Sequence, residues 1–204
     1  MADIKGNKME MPMPAPRPEV MEFLLTRRSR PAKTLRAPAP DRAALRPILT
    51  AALRSPDHGK LEPWRLIVLE EPALRRLAGL VRARGAVLGH GSEAIDKAAS
   101  AYETSPLAVV VVAAPKASDR IPEIEQVYSA GAVCLALLNA ALASGWGANW
   151  LSGWPAHDRG FVETGLGLSA QERVVGVVHI GTETAAPPER PRPDVDALTE
   201  WMAQ

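Results

Sequence analysis

One cysteine, Cys134, stands in a chain of 204 residues. No intrachain disulfide can therefore form, and a cysteine-rich metal site has no ligands to draw on. Charge of one sign is also missing: 24 basic residues face 23 acidic ones, for a net charge of +1. That balance provides no basic field for nucleic acid or for an anionic membrane surface. The apolar run Leu107 to Ala114 is far short of the ~20 residues that a membrane-spanning helix needs, and residues 1–18 are polar and proline-rich, without the apolar core of a signal peptide. These absences predict a soluble cytoplasmic protein without nucleic-acid or membrane partners. Catalytic signatures are scarce as well. There is no G-x-S-x-G elbow, Walker loop or H-E-x-x-H, and His58, His90, His157 and His179 are too scattered for metal ligands. Gly85 to Gly91 is glycine-rich but follows no strand, so it reads as a mobile loop and not as a dinucleotide fingerprint. Cys134, in an apolar stretch, reads as a small core residue and not as a nucleophile.

The length fits one domain with a sizeable core, and 47% hydrophobic content agrees. Residues 1–18 read as a flexible extension and 19–204 as a single domain ending in an extended arm, Pro187 to Asp194. Spacing predicts a short helix over Glu19 to Thr26, and a second capped by Asp41 and stopped by Pro56. It predicts a third helix opening at Pro72. Leu66 to Leu69, Leu107 to Ala114 and Arg173 to Ile180 read as strands, the middle one β-branched and apolar on both faces, as a covered central strand would be. Glu123 to Ser144 is the longest helical segment, apolar almost all round. Such a helix is buried on every side, in a core or against another subunit. Asp158 to Gly165 reads as a short helix ended by glycine, and the order of elements predicts a mixed α/β or α+β layer.

Three segments carry candidate chemistry. Arg27-Arg28-Ser29 offers two cationic donors and a hydroxyl, which suits a terminal phosphate because charge-assisted hydrogen bonds are about twice as strong as neutral ones. Arginine pairs at helix ends are also commonly just solvated cations complementing the dipole. Arg54 to Arg65 is an irregular polar segment between a helix and a strand, in which Arg54 and His58 can meet polar ligand edges. By spacing alone a surface loop with Trp64 tucked into the core is the better reading. The turn Gly145 to Trp154 holds three of the five tryptophans and three glycines, with only 4% aromatics overall. Glycine lets backbone approach a ligand and tryptophan offers a face to a ring; the same turn can also simply pack on the core.

In order along the chain, Arg27-Arg28-Ser29, Arg54-Ser55-Pro56-Asp57-His58, Pro63-Trp64, Ala94-Ile95-Asp96-Lys97-Ala98, Glu125-Gln126, Ser129-Ala130-Gly131, Gly145-Trp146-Gly147, Trp150-Leu151-Ser152-Gly153, Val175-Gly176 and Gly181-Thr182 resemble the nitroreductase superfamily. The similarity is greatest to its small YdjA-type branch of NAD(P)H nitroreductases and covers about residues 19 to 184. The resemblance implies an α+β, nitroreductase-like fold, with a central mixed sheet flanked by helices in an intertwined homodimer, and FMN at the subunit interface. It implies that Arg27, Arg28 and Ser29 hold the FMN phosphate and ribityl chain, with Arg54 and His58 near the flavin. Trp150, Leu151 and Ser152 would come from the partner subunit, and a backbone N–H near Ser152-Gly153 would face flavin N5.

The implied function is ping-pong electron transfer from NADH or NADPH to nitroaromatic, quinone or similar electron-poor acceptors, with no side-chain catalyst. A flavin-binding protein without turnover, or another redox reaction on the same fold, are the alternatives. Lys60 and Glu62 depart from the Asn and Gln that many relatives carry before Pro-Trp. Arg190 or Arg192 could reach the phosphate.

Overall fold

The run Leu107–Ala113 is the third strand, β3, and every one of its seven residues is buried. A computed structural model describes residues 13–203. The expected extension therefore lies mostly outside the described residues, and helix α1 begins at its last position, over Pro18–Thr26. On one side β3 pairs with β2 (Trp64–Glu70) and on the other with β5 (Arg173–Glu183). Two further strands pair with β5: β1 (Leu35–Arg36) near its end, and β4 (Gly147–Leu151) along Val177 to Gly181. All four pairings are antiparallel, so the α+β architecture holds while the expected mixed sheet is corrected to an antiparallel one among the described residues. Between β3 and β5 the register steps past Val175, because Val111 faces Gly176 whereas Val112 faces Val174.

Alternation along the strands supplies two cores. Ala108, Val110, Val112 and Val177 face one cluster, built with α3 (Glu71–Val87), α4 (Ser92–Thr104) and α7 (Arg159–Leu166). Leu107, Val109, Val111 and Val178 face the other, built with α2 (Arg42–Ala52) and α5 (Glu123–Ala143). Asp41 caps α2 as its sequence signal predicts, its carboxylate accepting from the Ala44 N–H at 2.8 Å.

Helix α5 is long and apolar enough to cross a membrane by length and composition, although polar residues interrupt its apolar run. Val133, Cys134, Leu137, Leu138 and Ala141 are nevertheless packed into the second core. It is not covered on every side within one chain: Ile124, Tyr128 and Leu135 are exposed. Burial pushes the Cys134 thiol up to about 12, which suits a core residue and not a nucleophile.

Three local expectations change. Gly85 to Val87 form the last turn of α3, where a Cβ on Gly85 would sit 2.6 Å from Ile95 Cγ1; glycine there lets α4 pack closely. The helix expected over Asp158 to Gly165 runs on to Leu166 and is ended by Gly167 at φ 68°, the left-handed cap that glycine adopts without a Cβ penalty. The Gly145 to Trp154 turn is largely strand β4 followed by the short helix α6 (Trp154–His157). Tryptophan and the apolar Ala148 and Leu151 suit a strand, and glycine density concealed that signal.

Candidate functional site

Among the described residues strand β4 pairs only with β5, and two of the three candidate groups gather at its two ends. At the start, the chain leaving α1 runs beside it: the Arg30 N–H donates to Ala148 O at 2.8 Å. Arg27, Arg28, Arg30, Trp146 and Glu183 line a groove of about 330 Å³ there. Within it, Arg27 Nη2 donates to Ser29 Oγ at 3.2 Å and Arg28 Nη1 to Ser29 O at 3.3 Å. The Nε of both arginines is buried without an acceptor. Burial first, and then the Arg192 and Arg28 charges, hold the Arg27 guanidinium below its ordinary value.

Arg192 reaches the same place from the C-terminal arm, donating to Arg27 O at 3.4 Å, and Glu189 is its counter-ion at 2.9 Å. Arg190 shows no side-chain hydrogen bond among the described residues. Crowded guanidinium groups with unused donors are what an anion such as a phosphate satisfies, so the residues at this end fit the phosphate of FMN.

At the other end the strand separates its residues by face, since successive side chains point to opposite sides. Trp150 lies on the α5 side, where its indole covers Gly176; Leu151 lies on the α4 side with Val177 and His179. Ser152 and Gly153 follow, both exposed. A cavity of about 390 Å³ opens here between β5 and α4, lined in part by Ser152, Gly153, Trp154, Tyr102 and His179. His179 is 1% exposed and packs edge-on to Tyr102, with ring centres 5.9 Å apart. Burial lowers its pKa to about 4 and keeps the ring neutral. Its Nδ1 and the Trp154 Nε1 are both enclosed without partners. Trp154 ends the tryptophan-rich turn that the sequence marks, whereas His179 and Tyr102 are not marked as site residues by it; a histidine within an otherwise apolar strand is the available signal.

The third group lies elsewhere. Arg54 is exposed and makes no side-chain hydrogen bond among the described residues, and His58 Nδ1 is 2.7 Å from Glu125 Oε2 at the start of α5. The Arg27–Arg28 groove includes Leu142, near the end of that helix. At ~1.5 Å per residue, Glu125 and Leu142 are about 25 Å apart. One chain thus unites Arg27, Arg28 and Ser29 with the β4 strand that carries Trp150, Leu151 and Ser152, and keeps Arg54 and His58 remote. The segment holding those two is conformationally unusual: Gly59, Lys60 and Glu62 have φ of 73°, 57° and 49°. Left-handed backbone favours Gly and Asn, so Lys60 and Glu62 occupy positions where their residue types are costly. Among the described residues no His, Cys, Asp and Glu cluster could hold a metal.

Comparison with known proteins agrees with this architecture. A sequence model described as the Nitroreductase family matches residues 24–182. The Escherichia coli (strain K12) protein named "Putative NAD(P)H nitroreductase YdjA" is 35% identical over 164 residues, covering 80% of this chain and 88% of that one. A Haemophilus influenzae relative is 36% identical over 165 residues, with the same coverage. Among solved structures, a nitroreductase-like protein from Bacillus cereus superposes with a TM-score of 0.72 at 22% identity, over 96% of this chain and 100% of the other. A Desulfovibrio desulfuricans protein solved in complex with FMN gives 0.69 at 22% identity, over 92% and 99%.

Proposed function

Because this chain belongs to the nitroreductase family, we propose that it is a cytoplasmic, FMN-dependent oxidoreductase that takes electrons from NADH or NADPH and delivers them to nitroaromatic, quinone or similar electron-poor acceptors by a ping-pong route. The observation that carries the reading is the pair of buried, unpartnered Nε atoms on Arg27 and Arg28, in a groove beside the edge strand. FMN, when bound, would supply the redox chemistry between nicotinamide and acceptor. The protein supplies binding and orientation. Arg27 and Arg28 hold the phosphate, Ser29 bonds the phosphate or ribityl oxygens, and the exposed backbone at Ser152-Gly153 presents an N–H toward N5. No side chain needs to act as acid or base.

The functional unit in this reading is a homodimer. Helix α5 leaves Ile124, Tyr128 and Leu135 exposed, an apolar face suited to a two-fold, self-complementary contact. Two α5 helices packed antiparallel would bring Arg54 and His58 of one copy to the Arg27–Arg28 groove of the other. The Arg30–Ala148 hydrogen bond joins Arg27, Arg28 and Ser29 to their own β4, which favours Arg54 and His58, and not Trp150, Leu151 and Ser152, as the second copy's contribution. Anaerobic mixing of FMN-loaded protein with NADH or NADPH tests the function. Bleaching of the flavin band, followed by recovery on adding a nitroarene or quinone, is the expected result. Protein that takes up no FMN would sink the reading, and bound flavin that neither nicotinamide reduces would favour a flavin-sequestering role.

A further inference from the structure

The backbone at Ser152-Gly153 is held from two directions. Strand β4 ends just before it, and helix α6 begins just after it. A helix of four residues has too few internal hydrogen bonds to hold itself, so its position depends on what grips it from outside. Internally, the Ala156 N–H donates to Gly153 O and the Asp158 N–H to Trp154 O, each at 3.0 Å. Gly153 to Asp158 is therefore one hydrogen-bonded turn.

The grip comes from the end of α3. Arg84 Nε and Nη2 donate to the two Asp158 carboxylate oxygens at 2.7 and 2.9 Å, a bidentate pair that fixes orientation as well as separation. Among the described residues it is the one side-chain contact of this kind that reaches residues 152–158 from outside α6 and α7. Gly160 lets the guanidinium lie against the first turn of α7, because a Cβ there would overlap Arg84 Cζ. Beside Arg84, Gly85 admits the Trp154 ring, since a Cβ would lie 3.3 Å from its Cζ2, and His90 packs on the same indole with ring centres 4.6 Å apart. Arg84, Gly85 and His90 thus hold α6 at both ends, through Asp158 and through Trp154.

We propose that Arg84 and Asp158 are positioning residues, which fix the backbone donor at Ser152-Gly153 for flavin N5. The inference rests on the function above, which assigns that backbone to N5. The two side chains act through the α6 turn and not by contact with the flavin. Asp158 also accepts from the Phe161 N–H at 2.9 Å as the cap of α7, so one carboxylate ties α3, α6 and α7 together. Loss of Arg84 leaves that cap in place and releases α6. A misplacement of about 1 Å at a reacting centre can cost on the order of 100-fold in rate, so a small release has a large effect.

The test compares Arg84→Ala, Arg84→Lys and Arg82→Ala in the full-length protein. Arg82 lies on the same helix but pairs with Asp96 and Glu103 of α4, so its loss loosens α3 without touching α6. In FMN-free protein, Arg84→Ala should exchange the Ala156 and Asp158 amide hydrogens about 10-fold faster, with those of β4 unchanged. The protein is then loaded with FMN carrying nitrogen-15 at N5, whose NMR resonance reports hydrogen bonding at that atom. In Arg84→Ala the resonance should move toward that of free FMN. It should lie between in Arg84→Lys, which keeps the charge without the fork, and stay in place in Arg82→Ala. FMN should remain bound throughout, because the groove of Arg27 and Arg28 is at the far end of β4. If Arg84→Ala does not fold, Arg84→Lys carries the same comparison. An N5 resonance that loss of the fork leaves in place overturns the proposal, as does an equal displacement in Arg82→Ala, which would mark general loosening. Failure of the underlying function reads differently: the parent protein would take up no FMN, or its bound N5 would resonate as in free FMN.

Discussion

The indole of Trp150 lies directly across the bare Cα of Gly176: a Cβ on that glycine would sit 1.9 Å from Trp150 Nε1. The two are cross-strand neighbours, since Trp150 faces Val178 in the β4–β5 register and Gly176 is the next same-face position. The glycine serves close approach, and no unusual φ is involved. Gly176→Ala should displace the ring and destabilise the protein by about 1 to 3 kcal/mol, seen as a lower denaturation midpoint with altered tryptophan fluorescence. An unchanged midpoint would mean that the indole is not seated there in solution.

Loss of one groove guanidinium should show in flavin affinity and not in folding. Arg28→Ala removes a charge-assisted hydrogen bond, worth on the order of 1.5 to 3 kcal/mol, so FMN should bind about 10- to 100-fold more weakly with the thermal midpoint little changed. Fluorescence titration of FMN measures it; equal affinity refutes the phosphate assignment.

Sharing of the site between subunits can be read by complementation. Homodimers of Arg28→Ala and of Arg54→Ala should both bind FMN weakly. Mixed dimers should regain one intact site per pair if Arg28 and Arg54 meet across the interface. Failure to recover any tight site on subunit exchange would put both residues in one chain's site.

His179 makes a signed prediction for pH. Its folded pKa of about 4 lies below the ordinary value near 6.5, so protonation favours the unfolded chain. The stabilisation is fully present above pH ~6.5 and is lost as pH falls toward 4, to a limit of about 3 kcal/mol. Denaturant unfolding across that window should show this slope, and His179→Phe should flatten it relative to the parent. Parallel slopes would contradict a buried neutral imidazole.

The bidentate pair of Arg65 with Glu172 has contacts of 2.6 and 3.0 Å. The hydrogen bond from Arg65 is the main cause that holds the Glu172 carboxyl at about 2. Its contribution should be present above pH ~4.5 and lost as pH falls toward 2. Glu172→Gln leaves the guanidinium without its counter-charge and should destabilise by about 1 to 3 kcal/mol, measured by denaturant melts at neutral pH.

Much of the fold was legible because hydrophobic period is a local property. The buried run of β3, the cap at Asp41 and the extent of α5 each follow from residues a few positions apart. Strand β4 was hidden because Gly145, Gly147 and Gly153 in and around it read locally as turn residues, although Gly147 serves the close approach of Leu35. Lys60 and Glu62 stood out only as departures from relatives; their left-handed backbone is invisible in composition.

By itself, the sequence determined helices α1, α2, α3, α5 and α7, the central strand and the family, and with them the candidate phosphate residues Arg27, Arg28 and Ser29, since these rest on short-range pattern and ordered motifs. Only the tertiary structure decided which candidates meet. Pairing of β4 with β5 divides Trp150 from Leu151 across the sheet, the Arg30–Ala148 bond joins the arginines to their own β4, and the length of α5 holds Arg54 and His58 away. The cavity at Trp154 and His179 belongs to that second class, because its walls come from α4, α6 and β5, which lie far apart in the chain and are brought together only by packing.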